Sequence, residues 1–209
     1  MSKLNSEGQL FIVSAPSGAG KTSLVDALIS ENDRLCVSVS HTTRPKRPNE
    51  IDGINYHFVE KACFLRMLDN GDFLESAEVY GHYYGTSKRW VNRQLDKGLS
   101  VILEIDWQGA AQVRALFPQS CYIFIVPPSL ESLSDRLRKR AQDDDAIIAM
   151  RMEEARAVLQ HATDAEFLVV NEDFGTALDE MGAIIKVRGL SVEAQQFRLG
   201  ALLANLTEG

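Results

Sequence analysis

Short, continuously apolar runs recur along the chain, separated by longer stretches in which apolar residues have helical spacing. Each run contains β-branched or aromatic residues and ends at a turn signal, which is typical of a buried strand. The predicted strands are 9–14, 35–40, 99–105, 121–126 and 167–170. The predicted helices are 22–29, 110–116, 130–140, 145–161 and 176–187. Apolar strands alternating with helices predict an α/β fold, with a parallel sheet covered by helices on both faces.

One region breaks this alternation. Residues 41–92 contain several short polar and aromatic segments around a single helical stretch at 61–68. We therefore predict a small mixed α+β subdomain inserted into the α/β core. Residues 190–209 are predicted to form a helical tail, and no chemistry can be assigned to them.

Composition limits the class of protein. The chain has 209 residues, of which 45% are hydrophobic and 24% charged, as expected for one ordinary globular core. No apolar run approaches the ~18 residues that span a bilayer, and no signal-like segment precedes the first predicted strand. Three widely spaced cysteines fit a reducing compartment. We expect a cytoplasmic protein without a membrane partner, and the spacing of its four histidines predicts no protein-ligated metal site.

The charge distribution raises a question about the partner. The formal net charge is −7, yet residues 44–47 read RPKR and place three cations within four positions. A domain that binds a nucleic-acid duplex usually carries an extended basic face and a high pI. A local basic patch in an acidic chain fits a small anion better, so we expect no nucleic-acid partner.

Residues 15–22 read APSGAGKT, between a predicted strand and a predicted helix. This context is typical of a P-loop, in which backbone amides and a helix N-terminus bind phosphate oxygens. Lys21 would reach the β and γ phosphates, and the Thr22 hydroxyl would bind Mg²⁺. The alternative is a glycine-rich turn that caps an ordinary helix. The candidate triphosphate-binding residues are Ala15, Pro16, Ser17, Gly18, Ala19, Gly20, Lys21 and Thr22.

Asp106 follows the predicted strand 99–105 and begins a D-x-x-G sequence that ends at Gly109. The pattern occurs in GTPase switches, but the guanine-binding N-K-x-D sequence is absent from the chain. We therefore expect Asp106 to face the metal ion or its waters from the carboxyl end of a strand. The alternative is that Asp106 caps the following helix.

The P-loop, the arginine-rich insertion and a second arginine-rich helix together resemble guanylate kinase, over the chain up to about Arg188. The segments FLESA, YYGT, EIDWQG and VNED also match family blocks. The family signature in the insertion, S-x-T-T-R-x-x-R-x-x-E-x-x-G-x-x-Y, is present as Ser40, Thr42, Thr43, Arg44, Arg47, Glu50, Gly53 and Tyr56. The resemblance implies transfer of the γ-phosphoryl group of ATP to GMP with Mg²⁺, giving ADP and GDP. It leaves dGMP open as a second acceptor and a homo-oligomer open as the assembly state.

The resemblance also assigns roles to residues of the insertion. Those that would hold the GMP phosphate are Arg44, Arg47, Tyr56 and Tyr84. Those that would recognise guanine are Ser40, Glu75 and Thr86, while Glu104 and Asp106 would line the acceptor and metal side. Guanidinium groups form bidentate, charge-assisted bonds to phosphate, and phenol hydroxyls add donors without further charge.

The second arginine-rich helix resembles the family's lid, whose arginines close over the transferring phosphates. The matching positions are Arg136, Arg140 and Arg151, which join Lys21, Arg44 and Asp106 as candidate catalytic residues. The alternative is that basic residues at a helix end complement its dipole. Ala141 stands where the family pattern favours glycine, and Asn171 would lie near the adenine.

The expected organisation is one guanylate-kinase-like domain over 1–209. Its core would comprise 1–40, 93–128 and 161–209, with a GMP-binding insertion at 41–92 and a lid at 129–160. Two alternatives stay open: a ribose-bisphosphate kinase on the same scaffold, and a non-catalytic guanylate-kinase-like interaction module. The first should lack Glu75 with Ser40 as base readers, and the second need not keep Lys21, Thr22 or the lid arginines.

Overall fold

The computed structural model describes residues 8–79, 81–140 and 145–207. In chain order, its strands are β1 (Leu10–Ser14), β2 (Leu35–Val37), β3 (His41–Thr42), β4 (His57–Phe58), β5 (Phe73–Val79), β6 (His82–Ser87), β7 (Ser100–Glu104), β8 (Cys121–Val126) and β9 (Phe167–Val170). Its helices are α1 (Lys21–Ser30), α2 (Lys61–Asp69), α3 (Lys88–Asp96), α4 (Trp107–Leu116), α5 (Leu130–Arg140), α6 (Asp145–Leu159), α7 (Phe174–Arg188) and α8 (Val192–Thr207). A single 3₁₀ turn, Ala162–Asp164, follows α6.

The central sheet has five strands in the order β2-β7-β1-β8-β9, and every neighbouring pair is parallel. This arrangement confirms the predicted α/β fold. Because β1 occupies the middle position, the segment that follows it lies at the centre of the sheet's carboxyl edge. Ligands of open parallel sheets bind at that edge.

Side chains of β1 alternate between two hydrophobic clusters, one on each face of the sheet. Phe11 and Val13 pack with residues of α1 and α7, whereas Leu10 and Ile12 pack with residues of α3 and α4. All four side chains are buried. A strand buried on both faces has no polar side, which explains the continuous apolar run seen in the sequence.

A second, four-stranded sheet is formed by β3 to β6 in the order β4-β3-β6-β5. The β3–β4 pair is parallel, and the β3–β6 and β5–β6 pairs are antiparallel. Helix α2 packs against this sheet by stacking the ring of Phe64 on that of Phe73, with centroids 4.5 Å apart. β5 is an edge strand, so one side of its backbone is available to other elements.

Helices α5 and α6 form a pair that follows β8. Leu133, Leu137 and Ala155 pack together in a small apolar cluster between them. α3 straddles the boundary expected at residue 92 and packs Val91 and Leu95 into the main core. Within the described ranges, no helix is long and apolar enough to cross a bilayer.

Candidate active site

The loop between β1 and α1 has the backbone geometry of a phosphate cradle. Gly18 and Gly20 have φ angles of 90° and 96°, in the left-handed region that glycine adopts without steric cost. The amide of Ala19 donates to the carbonyl of Pro16 at 3.1 Å and closes the loop. Gly20 is the N-cap of α1 and supplies no side-chain acceptor, so the first-turn amides remain available to an anion.

Asn171 supports this loop from the end of β9. Its side chain is buried, and its Nδ2 donates to the carbonyl of Ala19 at 2.7 Å. The same nitrogen lies so close to Gly20 that a Cβ there would stand 2.3 Å from it. The contact in the structure is therefore with the P-loop, and the adenine contact suggested for Asn171 stays a prediction.

Lys21 is the first residue of α1 and is half-buried. Burial lowers its pKa, and the carboxylates of Glu104, Asp106 and Glu75 act in the opposite direction, in that order. Two of these carboxylates belong to the core, and Glu75 belongs to the second sheet. The predicted guanine reader is therefore close enough to the lysine of the phosphate loop to act on it electrostatically.

Thr22 and Glu104 meet at the carboxyl end of the central sheet. The hydroxyl of Thr22 donates to Oε1 of Glu104 at 3.0 Å. Asp106, two residues further on, accepts the Gly109 amide at 2.9 Å on Oδ1 and the side-chain amide of Gln108 at 3.1 Å on Oδ2. Asp106 is therefore the N-cap of α4, as the alternative interpretation held, and it also acts electrostatically on Lys21.

These oxygen atoms fit a Mg²⁺ ion that also binds nucleotide phosphates. Mg²⁺ is usually held through one or two carboxylates, waters and substrate phosphates rather than by a closed protein site. The described residues contain no group of three or more His, Cys, Asp or Glu side chains that could hold a metal ion. The hydroxyl of Thr22 on α1 and the carboxylate of Glu104 at the end of β7 are hard oxygen donors within hydrogen-bond distance of each other.

Glu75 is a buried carboxylate, with 4% of its surface exposed. Its Oε1 accepts a hydrogen bond of 2.6 Å from the hydroxyl of Thr86 on the neighbouring strand. Burial raises the pKa of Glu75 to about 7, and Asp106 adds to this effect while Thr86 and Lys21 oppose it. No described cation forms an ion pair with Glu75 in the structure, which leaves a buried acid available to a ligand with hydrogen-bond donors.

Arg44 is fixed in position before any ligand binds. Its two terminal nitrogens donate to the carboxylate of Glu50 at 3.0 and 2.6 Å, and the guanidinium lies over the ring of Tyr56, 5.4 Å from its centroid. The ring of Tyr84 contacts that of Tyr56 edge-on at 5.9 Å. The Glu50 carboxylate raises the pKa of Arg44, and Tyr84 adds to the effect. Three of the four predicted phosphate-binding side chains therefore converge, whereas the fourth, Arg47, is exposed.

Two of the three predicted lid arginines, Arg136 and Arg151, have side chains in the described part of the structure. Nη2 of Arg136 donates to the backbone carbonyl of Asn171 at 2.8 Å, which ties α5 to the residue that supports the P-loop. Arg151 lies half-buried on α6. Arg140 is the last residue of α5 and its side chain lies outside the described part of the structure, as does Ala141.

Sequence reasoning placed most of these groups but gave no role to Glu50, Gly109 or Gln112. Glu50 holds Arg44, and its place in the family signature was the available signal. Gly109 and Gln112 follow Asp106 at three-residue intervals on α4, and both contact β5. That spacing puts them on one helix face, but only the tertiary structure brings β5 to it.

Comparisons with known proteins agree with one another. The family model described as guanylate kinase matches residues 7–188. A guanylate kinase of Pseudomonas fluorescens is 53% identical over 97% of this chain and 98% of its own length, and one of Vibrio cholerae is 50% identical over 96% and 98%. The crystal structure of guanylate kinase from Anaplasma phagocytophilum superimposes with a TM-score of 0.75 at 31% identity, covering 90% of this chain and 89% of that one.

Proposed function

Since this chain belongs to the guanylate kinase family, we propose that its two facing half-sites hold ATP and GMP and bring them together for in-line phosphoryl transfer. The protein is a phosphotransferase that converts ATP and GMP to ADP and GDP. The observation that supports the placement of the substrates is that Gly109, whose amide donates to Asp106, lies with its Cα against the carboxylate of Glu75. This contact brings the predicted guanine reader next to the carboxyl end of the central sheet, where the phosphate loop also lies.

On the acceptor side, Glu75 would recognise guanine. The guanine edge presents two donors, N1–H and the exocyclic amine, and a carboxylate can accept both. Adenine has an unprotonated N1 on that edge, so it would leave the buried carboxylate unpaired. Thr86 orients the carboxylate. Ser40, which comes immediately before β3, is a further candidate base contact.

The GMP phosphate would bind at Arg44, Tyr56 and Tyr84. Arg44 already has its guanidinium oriented by Glu50 and its plane covered by Tyr56, so binding immobilises few additional torsions. Arg47, which carries a second cation on the same loop, would complete the set when the phosphate arrives.

On the donor side, the P-loop amides and Lys21 would hold the β and γ phosphates of ATP. Phosphoryl transfer depends mainly on positioning and on stabilising charge that spreads over the transferred group. Lys21, Arg44 and the lid arginines Arg136, Arg140 and Arg151 would supply that positive charge. Thr22, with Glu104 and Asp106 nearby, would hold the Mg²⁺ ion, which neutralises phosphate charge when bound.

A substrate panel tests this assignment. ADP release is measured with ATP and, in turn, GMP, dGMP, AMP, UMP and ribose bisphosphate as acceptors. We expect GMP to give the highest kcat/KM and AMP to give a kcat/KM lower by roughly 10⁴-fold. A site built to accept two hydrogen bonds from the base rejects a base that lacks those donors. Preference for ribose bisphosphate, or turnover with no acceptor above background, would contradict the proposed substrate assignment.

Lys21→Ala tests the donor side separately. Loss of a cation that acts in the transition state costs on the order of 3–5 kcal/mol, so we expect kcat to fall by ~10²–10⁴. GMP binding and the unfolding midpoint should remain close to those of the parent protein. Activity within a fewfold of the parent would remove Lys21 from the catalytic set.

A further inference from the structure

Gly109 and Gln112 lie one turn apart on helix α4. They contact two consecutive residues of β5, Glu75 and Ser76. The Cα of Gly109 lies against the carboxylate of Glu75, where an added Cβ would stand 2.6 Å from Oε2. Gln112 forms a pair of hydrogen bonds with the backbone of Ser76, accepting from its amide at 3.1 Å and donating to its carbonyl at 2.8 Å. β5 is an edge strand, and the Gln112 side chain therefore takes the place of a neighbouring strand at this residue.

The same helix is fixed to the phosphate half of the site. Asp106 caps α4 through the amide of Gly109 at 2.9 Å and acts electrostatically on Lys21. Asp106, Gly109 and Gln112 follow one another at three-residue spacing and lie along one helix face. A turn and a half of helix α4 therefore connects Asp106, beside Lys21 of the phosphate loop, with the residues that contact Glu75 and Ser76.

We propose that Gly109 and Gln112 are positioning residues for guanine selection, acting through Glu75. Gly109 leaves the space that the Glu75 carboxylate occupies, and Gln112 fixes the backbone of the next residue, so the acceptor oxygens stand in register with the guanine edge. The proposal rests on the function of Glu75 as the guanine reader. It assigns the discrimination between guanine and other purines to the core helix as well as to the inserted sheet.

Gly109→Ala is the most direct test, because the substitution should harm selection without harming the fold. Gly109 is helical, and alanine is favoured over glycine inside a helix. The added Cβ reaches an ordinary van der Waals distance from Oε2 only if the Glu75 carboxylate moves by about 1 Å. A misplacement of that size is enough to cost on the order of 10²-fold in rate. We expect kcat/KM for GMP to fall ~10–100-fold while the KM for ATP stays within twofold.

Inosine monophosphate makes the measurement specific, because it keeps the N1–H donor of GMP but lacks the exocyclic amine. A displaced carboxylate loses part of its two-point contact with guanine, so the ratio of kcat/KM for GMP to that for IMP should shrink ~5-fold or more. The matched control is Gly182→Ala in α7, where the added Cβ would have only an ordinary 4.0 Å contact with Leu28. That variant gains the same helical preference and should leave the GMP-to-IMP ratio unchanged.

Gln112→Met provides a second variant in case Gly109→Ala disturbs folding. Gln112 is exposed, so methionine keeps the chain length and helical preference while removing both bonds to Ser76. We expect roughly a 3–10-fold loss in kcat/KM for GMP and a smaller GMP-to-IMP ratio. A general loss of stability would instead lower kcat for both acceptors together and leave the ratio constant.

A double-variant comparison separates this inference from the function on which it rests. In a Glu75→Ala background there is no carboxylate to displace, so adding Gly109→Ala should change kcat/KM for GMP by less than twofold. If Glu75→Ala alone leaves the GMP-to-IMP ratio unchanged, Glu75 is not the reader and both proposals fall. If Glu75→Ala lowers the ratio but Gly109→Ala and Gln112→Met do not, only the positioning role of α4 is wrong.

Discussion

Glu75 is a buried carboxylate with no ion-pair partner among the described residues, and such a group is costly in its charged form. Burial raises its pKa to about 7, so near neutral pH the empty site contains the acid in both protonation states. A guanine ring that donates two hydrogen bonds would stabilise the charged form and replace the missing solvation. The cost of burying Glu75 is therefore offset only when the right base is bound, which is how a single residue gains selectivity.

Glu75→Gln keeps the shape of the side chain but turns one acceptor oxygen into a donor amide. That amide would face a donor of guanine, so we expect kcat/KM for GMP to fall by about 10²-fold or more, equivalent to ~3 kcal/mol. Steady-state kinetics with GMP and AMP, together with ATP binding by calorimetry, measure the effect. Near-normal GMP kinetics, with an unchanged GMP-to-AMP ratio, would mean that Glu75 does not contact the base.

The dependence on pH follows from the same residue. Guanine requires the carboxylate form, so kcat/KM for GMP should rise with pH through about 7 and level off above it. The phosphate of GMP titrates with a second pKa near 6, so the comparison must include Glu75→Gln. We expect the variant to lose the inflection near pH 7 and to keep the one that belongs to GMP.

The stability of the ligand-free protein should change with pH in the opposite direction to kcat/KM for GMP. The ordinary pKa of this carboxyl is 4.5, and in the folded protein it is about 7, so the folded state holds the proton more tightly. The contribution of Glu75 to stability is complete below pH 4.5 and is lost as pH rises through 7. Chemical unfolding of the ligand-free protein between pH 5 and 8 measures this trend, which should be weaker in Glu75→Gln.

At the scale of elements, β9 supports the phosphate loop although it contributes no residue to the predicted phosphate contacts. Asn171 follows β9, and its side chain satisfies the buried carbonyl of Ala19 at 2.7 Å. Its own backbone carbonyl accepts the guanidinium of Arg136 from α5 at 2.8 Å. One residue therefore connects the phosphate loop with the helix that carries the lid arginines.

Asn171→Ala should loosen the phosphate loop. The carbonyl of Ala19 loses its partner, and an unsatisfied buried polar group costs about 1–3 kcal/mol. We expect a lower unfolding midpoint and a higher KM for ATP, with the KM for GMP within twofold. Thermal unfolding and initial-rate kinetics check both effects, and Asn70→Ala, at the exposed end of α2, is the control. An unchanged KM for ATP would show that the loop holds its shape without Asn171.

The sequence predicted elements well where hydrophobic pattern alone defines them. β8 and β9 have the bounds expected from their apolar runs, because strands buried on both faces leave an uninterrupted signal. Some predicted bounds were wrong. The strand expected over 35–40 ends at Val37, and α4 begins at Trp107 rather than at 110 because the Asp106 side chain caps it.

The site was predictable to the extent that its chemistry lies in contiguous motifs. The phosphate loop and the RPKR segment could be recognised because phosphate binding requires particular residues at fixed local spacing. The contacts of Gly109 with Glu75 and of Asn171 with Ala19 join elements far apart in the chain. A glycine that is needed for space, or an asparagine that is needed for one carbonyl, looks in the sequence like any other.

At the scale of the whole molecule, we propose that the described parts of the insertion (41–79 and 81–92) and of the lid (129–140 and 145–160) move toward the core when both nucleotides bind. Closure would exclude water from the transferring group and bring the lid arginines to it. A bisubstrate analogue that joins the two nucleosides through phosphates should therefore lower the radius of gyration in solution scattering. ATP alone is the control, and a radius of gyration that does not change with saturating analogue would contradict closure.

The central position of β1 also affects how the chain folds during its synthesis. One neighbour of β1 is β7, and the hydroxyl of Ser14 donates to the carbonyl of Ile105 just after β7, 91 residues later. The other neighbour, β8, comes later still. At a synthesis rate of ~5–20 residues per second, the first strand waits roughly 5–20 seconds before both neighbours have been synthesised. During that interval a buried-type strand with two unpaired edges is exposed to other nascent chains. We therefore expect β1 to need shielding from other nascent chains until translation has passed β8.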